Sequence, residues 1–185
     1  HVLDLLVRGQ VDAFVLLAVT LGWWSILTHR PLVLSLALCV MAIKPVNVAL
    51  AGLLYLLAIR HWSRRDIATV LSIPIIVLII SILMAGADWP LRYIQYARDY
   101  PVPNRHRSID IWDIASTIGL PRWPVLFVAA IAIFAFLREA WHEGVTLWTV
   151  SLALVTNFAF TYYASGYHYV LLIPALLLVA SHSRV

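Results

Sequence analysis

Long apolar runs separated by short polar punctuation set the pattern of this chain. Residues 11–27 read as a first membrane span that ends at the basic turn Thr28-His29-Arg30-Pro31. The next apolar stretch, 32–59, holds 28 residues. As one helix it would measure about 42 Å, against about 30 Å of hydrocarbon in a bilayer. Pro45 removes a backbone donor and disfavours helical geometry at Lys44, so a break is expected there. Basic residues flank the stretch on both sides, Arg30 before it and Arg60, Arg64 and Arg65 after it. The excess of basic residues in cytoplasmic loops puts both flanks in the cytoplasm, which requires an even number of crossings. The stretch therefore reads as a tight helical hairpin, 32–43 out and 46–59 back. Arms of about 18–21 Å leave its turn, and Lys44 with it, recessed below the extracytoplasmic face.

The rest of the chain continues in the same manner. Residues 67–84 form an outward span, in which Pro74 can introduce a kink that membrane helices tolerate. A polar segment, 86–123, lies outside. Within it, 108–119 has the marks of a short amphipathic interfacial helix: Ser108 as N-cap, Asp110 in the first turn and Gly119 as the stop. Ile111, Trp112, Ala115 and Ile118 give that helix an apolar face to rest on the membrane. Residues 124–137 return inward to a small turn at 138–144, and 145–160 run outward. An aromatic turn at 162–169 precedes the last short apolar run, 170–180. The expected fold is an all-α integral membrane protein, a polytopic helical bundle of about seven membrane segments including one short hairpin. It forms a single transmembrane domain over 1–185, with 86–123 as its external loop and no internal repeat.

Composition agrees: hydrophobic residues make up 63% and charged ones 12%, with a mean hydropathy of +0.90, values outside soluble practice. A net charge of +4 does not point to nucleic acid, because most arginines sit at the expected membrane edges rather than in a basic run with interleaved aromatics. Cys39 lies inside an apolar arm and reads as a small core residue. The chain opens on His1 with no signal peptide, which reads as a fragment of a longer protein with further spans upstream.

Lys44 is the candidate for chemistry, the only lysine among 13 basic residues. A charge at membrane depth costs roughly 2.5–3.5 kcal/mol on insertion scales, so such a residue points to a function, commonly the holding of an anion. Arg8-Gly9-Gln10-Val11-Asp12 stands at the outer end of the first span, on the same side. Asp12 is a costly carboxylate unless paired, Lys44 is its natural partner on charge, and Asn47 can complete a polar cluster. A purely structural Asp12–Lys44 pair joining two helices is the competing reading. Outside, Arg92, Arg98, Arg105, Arg107 and Arg122 run against the positive-inside bias. They serve an anionic partner, act as interfacial anchors with Trp89 and Tyr93, or mark an inverted topology there. Asp110 and Asp113 could share a face as a base or metal pair, though helix capping and solvation account for them better.

Gly9-Gln10-Val11-Asp12 before an apolar span, the arm ending in Ile43-Lys44-Pro45, the basic loop from Arg60 to Arg65 and the late Tyr167-His168-Tyr169-Val170-Leu171-Leu172-Ile173-Pro174 resemble glycosyltransferase family 87. Its members have the GT-C membrane fold and resemble polyprenol-phosphate-mannose-dependent mannosyltransferases. The resemblance covers nearly the whole chain as the later part of a member. It departs at Asp12, where the family usually carries Asn, which favours an ion pair with Lys44 over a neutral hydrogen bond.

The resemblance implies a multi-pass protein of a prokaryotic plasma membrane. Such a protein passes a sugar, mannose in the first instance, from a polyprenyl-phosphate donor to a lipid or glycan acceptor on the extracytoplasmic side, without metal or cofactor. Lys44, Arg8 and Gln10 are then expected at the donor phosphate, supported by Asp12, Asn47, Tyr163, Tyr167 and His168. The general base of GT-C enzymes lies in a first external loop, which here falls upstream of His1, so no catalytic residue is assigned within the chain. Two other classes fit the same features: a flippase or transporter of lipid-linked sugars, and a membrane assembly subunit without chemistry.

Overall fold

In the structure, a computed structural model, residues 2–99, 111–160 and 171–182 are described. Those residues form nine α-helices and short connections, with no strand among them: α1 (Val2–Leu27), α2 (Pro31–Met41), α3 (Pro45–Ala58), α4 (Arg64–Ala85), α5 (Trp89–Asp99), α6 (Ile111–Thr117), α7 (Arg122–Glu143), α8 (Leu147–Phe160) and α9 (Ile173–His182). Two of them, α4 and α7, are long and apolar enough to cross a bilayer singly, while α2, α3 and α8 are shorter apolar helices. The protein is thus all-helical with at least two segments of membrane-spanning character.

The elements follow from local chemistry. Proline occupies the first turn of both α2 and α3, where its missing N–H would have had no partner in any case. Ser63 caps α4, its hydroxyl accepting from the Asp66 amide at 3.2 Å. Gly144 stops α7 with φ of +68°, a conformation that costs a side-chain-bearing residue and suits glycine.

Several boundaries differ from the sequence expectation. The first helix begins at Val2 rather than Val11, because Val2, Leu3, Leu5, Leu6 and Val7 extend the apolar pattern and neither Arg8 nor Gly9 breaks it. The turn expected at 138–144 is mostly helix, since α7 runs to Glu143 through good helix formers and ends only at Gly144. The outer segment contains a helix the pattern did not reveal, α5, which follows the turn at Gly86 (φ +89°). Arg92, one turn into it, pairs with Asp88 and reaches the Ala85 carbonyl. The short helix expected at 108–119 is present over Ile111–Thr117, but its apolar face is not simply laid on a membrane. Ala115 is buried, and the Trp112 indole donates to the Phe160 carbonyl at 3.1 Å, tying α6 to the end of α8. Ile114 and Ile118 remain exposed.

Pairwise contacts give the arrangement two ends. At one, His29 Nε2 lies 3.3 Å from Asp66 Oδ2, and the His29 ring lies 4.2 Å from that of Trp62. The Arg60 guanidinium sits 3.5 Å over the Trp141 ring at the same end. Hydrogen bonds from Ser63 and His29 hold the exposed Asp66 carboxyl below its ordinary range. At the other end Lys44 meets Asp12, and the end of α8 meets the start of α3. Helix α2 therefore runs against α1, α3 runs with α1, and α8 runs against α3. The basic flanks expected to share one side do so, with Lys44 away from them.

The core between α1, α3 and α8 is built from small and medium side chains. Val15, Ala18 and Val19 of α1 meet Ala51, Leu54 and Tyr55 of α3, which in turn meet Val150, Ala153 and Leu154 of α8. Small residues let helix backbones approach closely, the main source of packing where lipid removes the hydrophobic driving force between helices. At Gly22 the approach is closest: a methyl group there would lie 2.4 Å from the Tyr55 ring. The Tyr55 hydroxyl donates to the Val19 carbonyl, so this buried phenol is satisfied across the same interface. By contrast α4 buries only Val70, and six consecutive residues, Ile75 to Ile80, are each about half exposed. A helix apolar on every side and mostly uncovered is a surface suited to lipid rather than water.

Candidate functional site

The chain breaks where Pro45 demands it. Helix α2 tightens at its end, with Ile43 and Lys44 amides donating to the Val40 and Met41 carbonyls at 3.1 and 3.2 Å. Lys44 then adopts φ −130°, ψ 66° as the residue preceding α3, outside the helical region as a pre-proline residue should be. Its carbonyl accepts the Asn47 amide at 3.1 Å and starts the next helix. The backbone of Lys44 is therefore fixed from both sides, and its side chain is aimed by the turn.

It is aimed at Asp12. Lys44 Nζ lies 2.9 Å from Asp12 Oδ1, so the pair expected on charge alone is formed. The two partners differ sharply in access: the Asp12 side chain is wholly buried, and that of Lys44 is 25% exposed. The buried carboxylate orients the ammonium, and Lys44 is the partner whose side chain keeps some access from outside. A lysine neutralised by its own aspartate exerts little long-range field and acts on an anion chiefly at contact, through charge-assisted hydrogen bonds.

Element lengths fix the depth of this pair. Helices α2 and α4 start together at the His29–Asp66 end and pack against each other. The 11 residues of α2 cover about 16 Å, whereas the 22 of α4 cover about 33 Å. The turn bearing Lys44 thus lies near the middle of α4, and the uncovered Ile75 to Ile80 stretch runs on beyond it. Helix α1 also continues past Asp12 for ten residues.

The remaining expected site residues divide in two. Arg8 and Gln10 are helical positions of α1 immediately ahead of Asp12, with side chains outside the described residues. Asn47 stands in the first turn of α3, half-buried, three residues after Lys44. Tyr163, Tyr167 and His168 lie outside the described residues, as does Asp110, while Asp113 falls within α6.

One residue that matters to this geometry escaped the sequence reading. Helix α3 is kinked one turn after Lys44, with Val48 at φ −136°. Just beyond the kink the Leu50 amide donates to Asn157 Oδ1 of α8 at 3.1 Å. Asn157 is nearly buried and so serves as an interhelical cap for the second part of α3. The signal was available: a single amide within the apolar run 145–160, which demands a partner at membrane depth.

No family model, no curated protein and no solved structure matches this chain.

Proposed function

We propose that the chain is the later part of a membrane glycosyltransferase of GT-C type, in which Lys44 contacts the phosphate of a polyprenyl-phosphate sugar. The observation that carries this reading is the recessed Lys44–Asp12 pair, with the Lys44 side chain partly accessible and its carboxylate partner buried. The residue pattern resembling glycosyltransferase family 87 adds the substrate class, and mannose is the first sugar to try. The pair suits the reaction. As the bond from the anomeric carbon to the phosphate oxygen breaks, charge accumulates on the lipid phosphate. A fixed cation at contact distance in a low-dielectric recess favours that charge over the ground state. Arg8, assigned to the donor phosphate by the same resemblance, adds the net positive charge that the neutralised pair lacks. The acceptor hydroxyl oxygen bonds the anomeric carbon and its proton passes to a carboxylate, placed by the resemblance in a segment preceding His1.

The test uses the intact protein in proteoliposomes with polyprenyl-phosphate mannose labelled in the sugar and a mixed lipid acceptor fraction. The reading expects labelled acceptor to form, and a loss of about a hundredfold or more on Lys44→Ala. Movement of intact donor across the bilayer with no labelled acceptor would instead establish a transporter, which also uses broken helices and recessed cations.

A further inference from the structure

A second feature lies at the opposite end of the bundle and does not depend on the glycosyltransferase reading. The short 3-10 turn Ile59–His61 that ends α3 stands over the junction of α7 and α8. Between them is a cavity of about 320 Å³. Its lining combines Arg60, His61, His142 and Glu143 with apolar residues that include Ile26 and Leu54. We infer that this cavity holds the phosphate headgroup of an anionic phospholipid, with Arg60 as its principal contact.

Three observations lead there. The first is the state of Arg60. Its guanidinium is stacked on Trp141 at 3.5 Å, and its Nε donates to His61 Nε2 at 2.7 Å. Both contacts fix the plane of the fork without using a carboxylate, and no ion pair joins Arg60 to Glu143 among the described residues. A pre-oriented guanidinium is well matched to two phosphate oxygens and gives up little side-chain freedom on binding. The second is His61. It accepts at Nε2 and shares the cavity lining with Arg60, so it steadies the fork without adding a negative charge. The third is position. The cavity lies at the end where Arg30 precedes α2, Arg64 and Arg65 open α4 and Arg138 stands in the last two turns of α7, and Ile26, Leu54 and Leu57 give its lining an apolar part for acyl chains. Basic pockets between helices at that face of a membrane are suited to lipid headgroups. Glu143 contributes the opposite sign at the rim, so a headgroup with one phosphate charge fits better than a highly charged one.

General attraction between a basic protein end and an anionic leaflet would give some binding without any site, so the experiment must separate the two. The intact protein is equilibrated with phosphatidylglycerol or phosphatidylcholine, and retained lipid is counted by native mass spectrometry. Three single variants are compared, Arg60→Gln, Arg60→Lys and Arg65→Gln, and each is first checked to be monodisperse. The site predicts at least one retained phosphatidylglycerol, little phosphatidylcholine, and occupancy reduced by about tenfold in Arg60→Gln. It also predicts an intermediate loss in Arg60→Lys, where the charge survives but the fork does not, and near-normal occupancy in Arg65→Gln. Equal losses in Arg60→Gln and Arg65→Gln would reduce the effect to general electrostatics and overturn the site. So would displacement of the lipid by millimolar inorganic phosphate alone, which would make the cavity an ion site rather than a lipid one.

Discussion

Lys44 and Asp12 illustrate how much a single proline can determine. Pro45 ends one helix, starts another and holds Lys44 in a non-helical conformation between them, so backbone geometry brings the charge beside Asp12. Breaking a buried ion pair from one side costs about 3–5 kcal/mol, because the remaining charge has lost its counterion. Gly22 shows the same economy without charge. Its missing side chain makes room for the Tyr55 ring, and Gly22→Ala forces the ring or the helices apart. That substitution should destabilise the protein by about 1–3 kcal/mol through overpacking. Thermal unfolding in detergent checks this, and Gly22→Ala combined with Tyr55→Leu should recover much of the loss. An unchanged midpoint in Gly22→Ala would mean that α1 and α3 do not approach as closely as described.

At the scale of elements, α3 is the part on which the site depends. Its first turn carries Lys44 and Asn47, its kink is at Val48, and its second part is held to α8 by Asn157. Asn157→Leu keeps the volume but leaves the Leu50 amide with its side-chain acceptor removed, at a cost of about 1–3 kcal/mol. Because the kink aims the Lys44 turn, the same change should weaken donor binding more than it slows transfer at saturating donor. Steady-state kinetics on the intact protein distinguish this from plain destabilisation, and donor affinity equal to that of the unaltered protein would remove Asn157 from the positioning of Lys44. The hairpin itself was readable from length, Pro45 and two basic flanks, and so was the Asp12–Lys44 pair, since two opposite charges at membrane depth must find each other. The kink was not, because nothing local to Val48 requires it. The bond beside it comes from an amide 107 residues beyond Leu50 in the chain. Helix α5 was missed because its alternation of aromatic and basic residues reads as a polar loop until the apolar positions are assigned to one helical face. Helix α7 runs past the expected turn because helix propensity carries its charged residues on to Gly144.

For the molecule as a whole, the two ends differ in kind. One gathers His29, Trp62, Asp66, Arg60 and Trp141 into a polar cap, and the other recesses a single aspartate–lysine pair below the full length of α4. That asymmetry is what a membrane enzyme working on a lipid-linked phosphate from one face would need, and the central claim is that Lys44 meets that phosphate. The most direct measurement is donor affinity and sugar transfer in the intact protein for Lys44→Ala and for the double change Lys44→Ala with Asp12→Ala. The account predicts that the double change regains stability, since no buried charge is left unpaired, while donor binding and transfer stay lost. Full recovery of transfer with unchanged donor affinity in the double variant would contradict it and leave the pair as a link between helices.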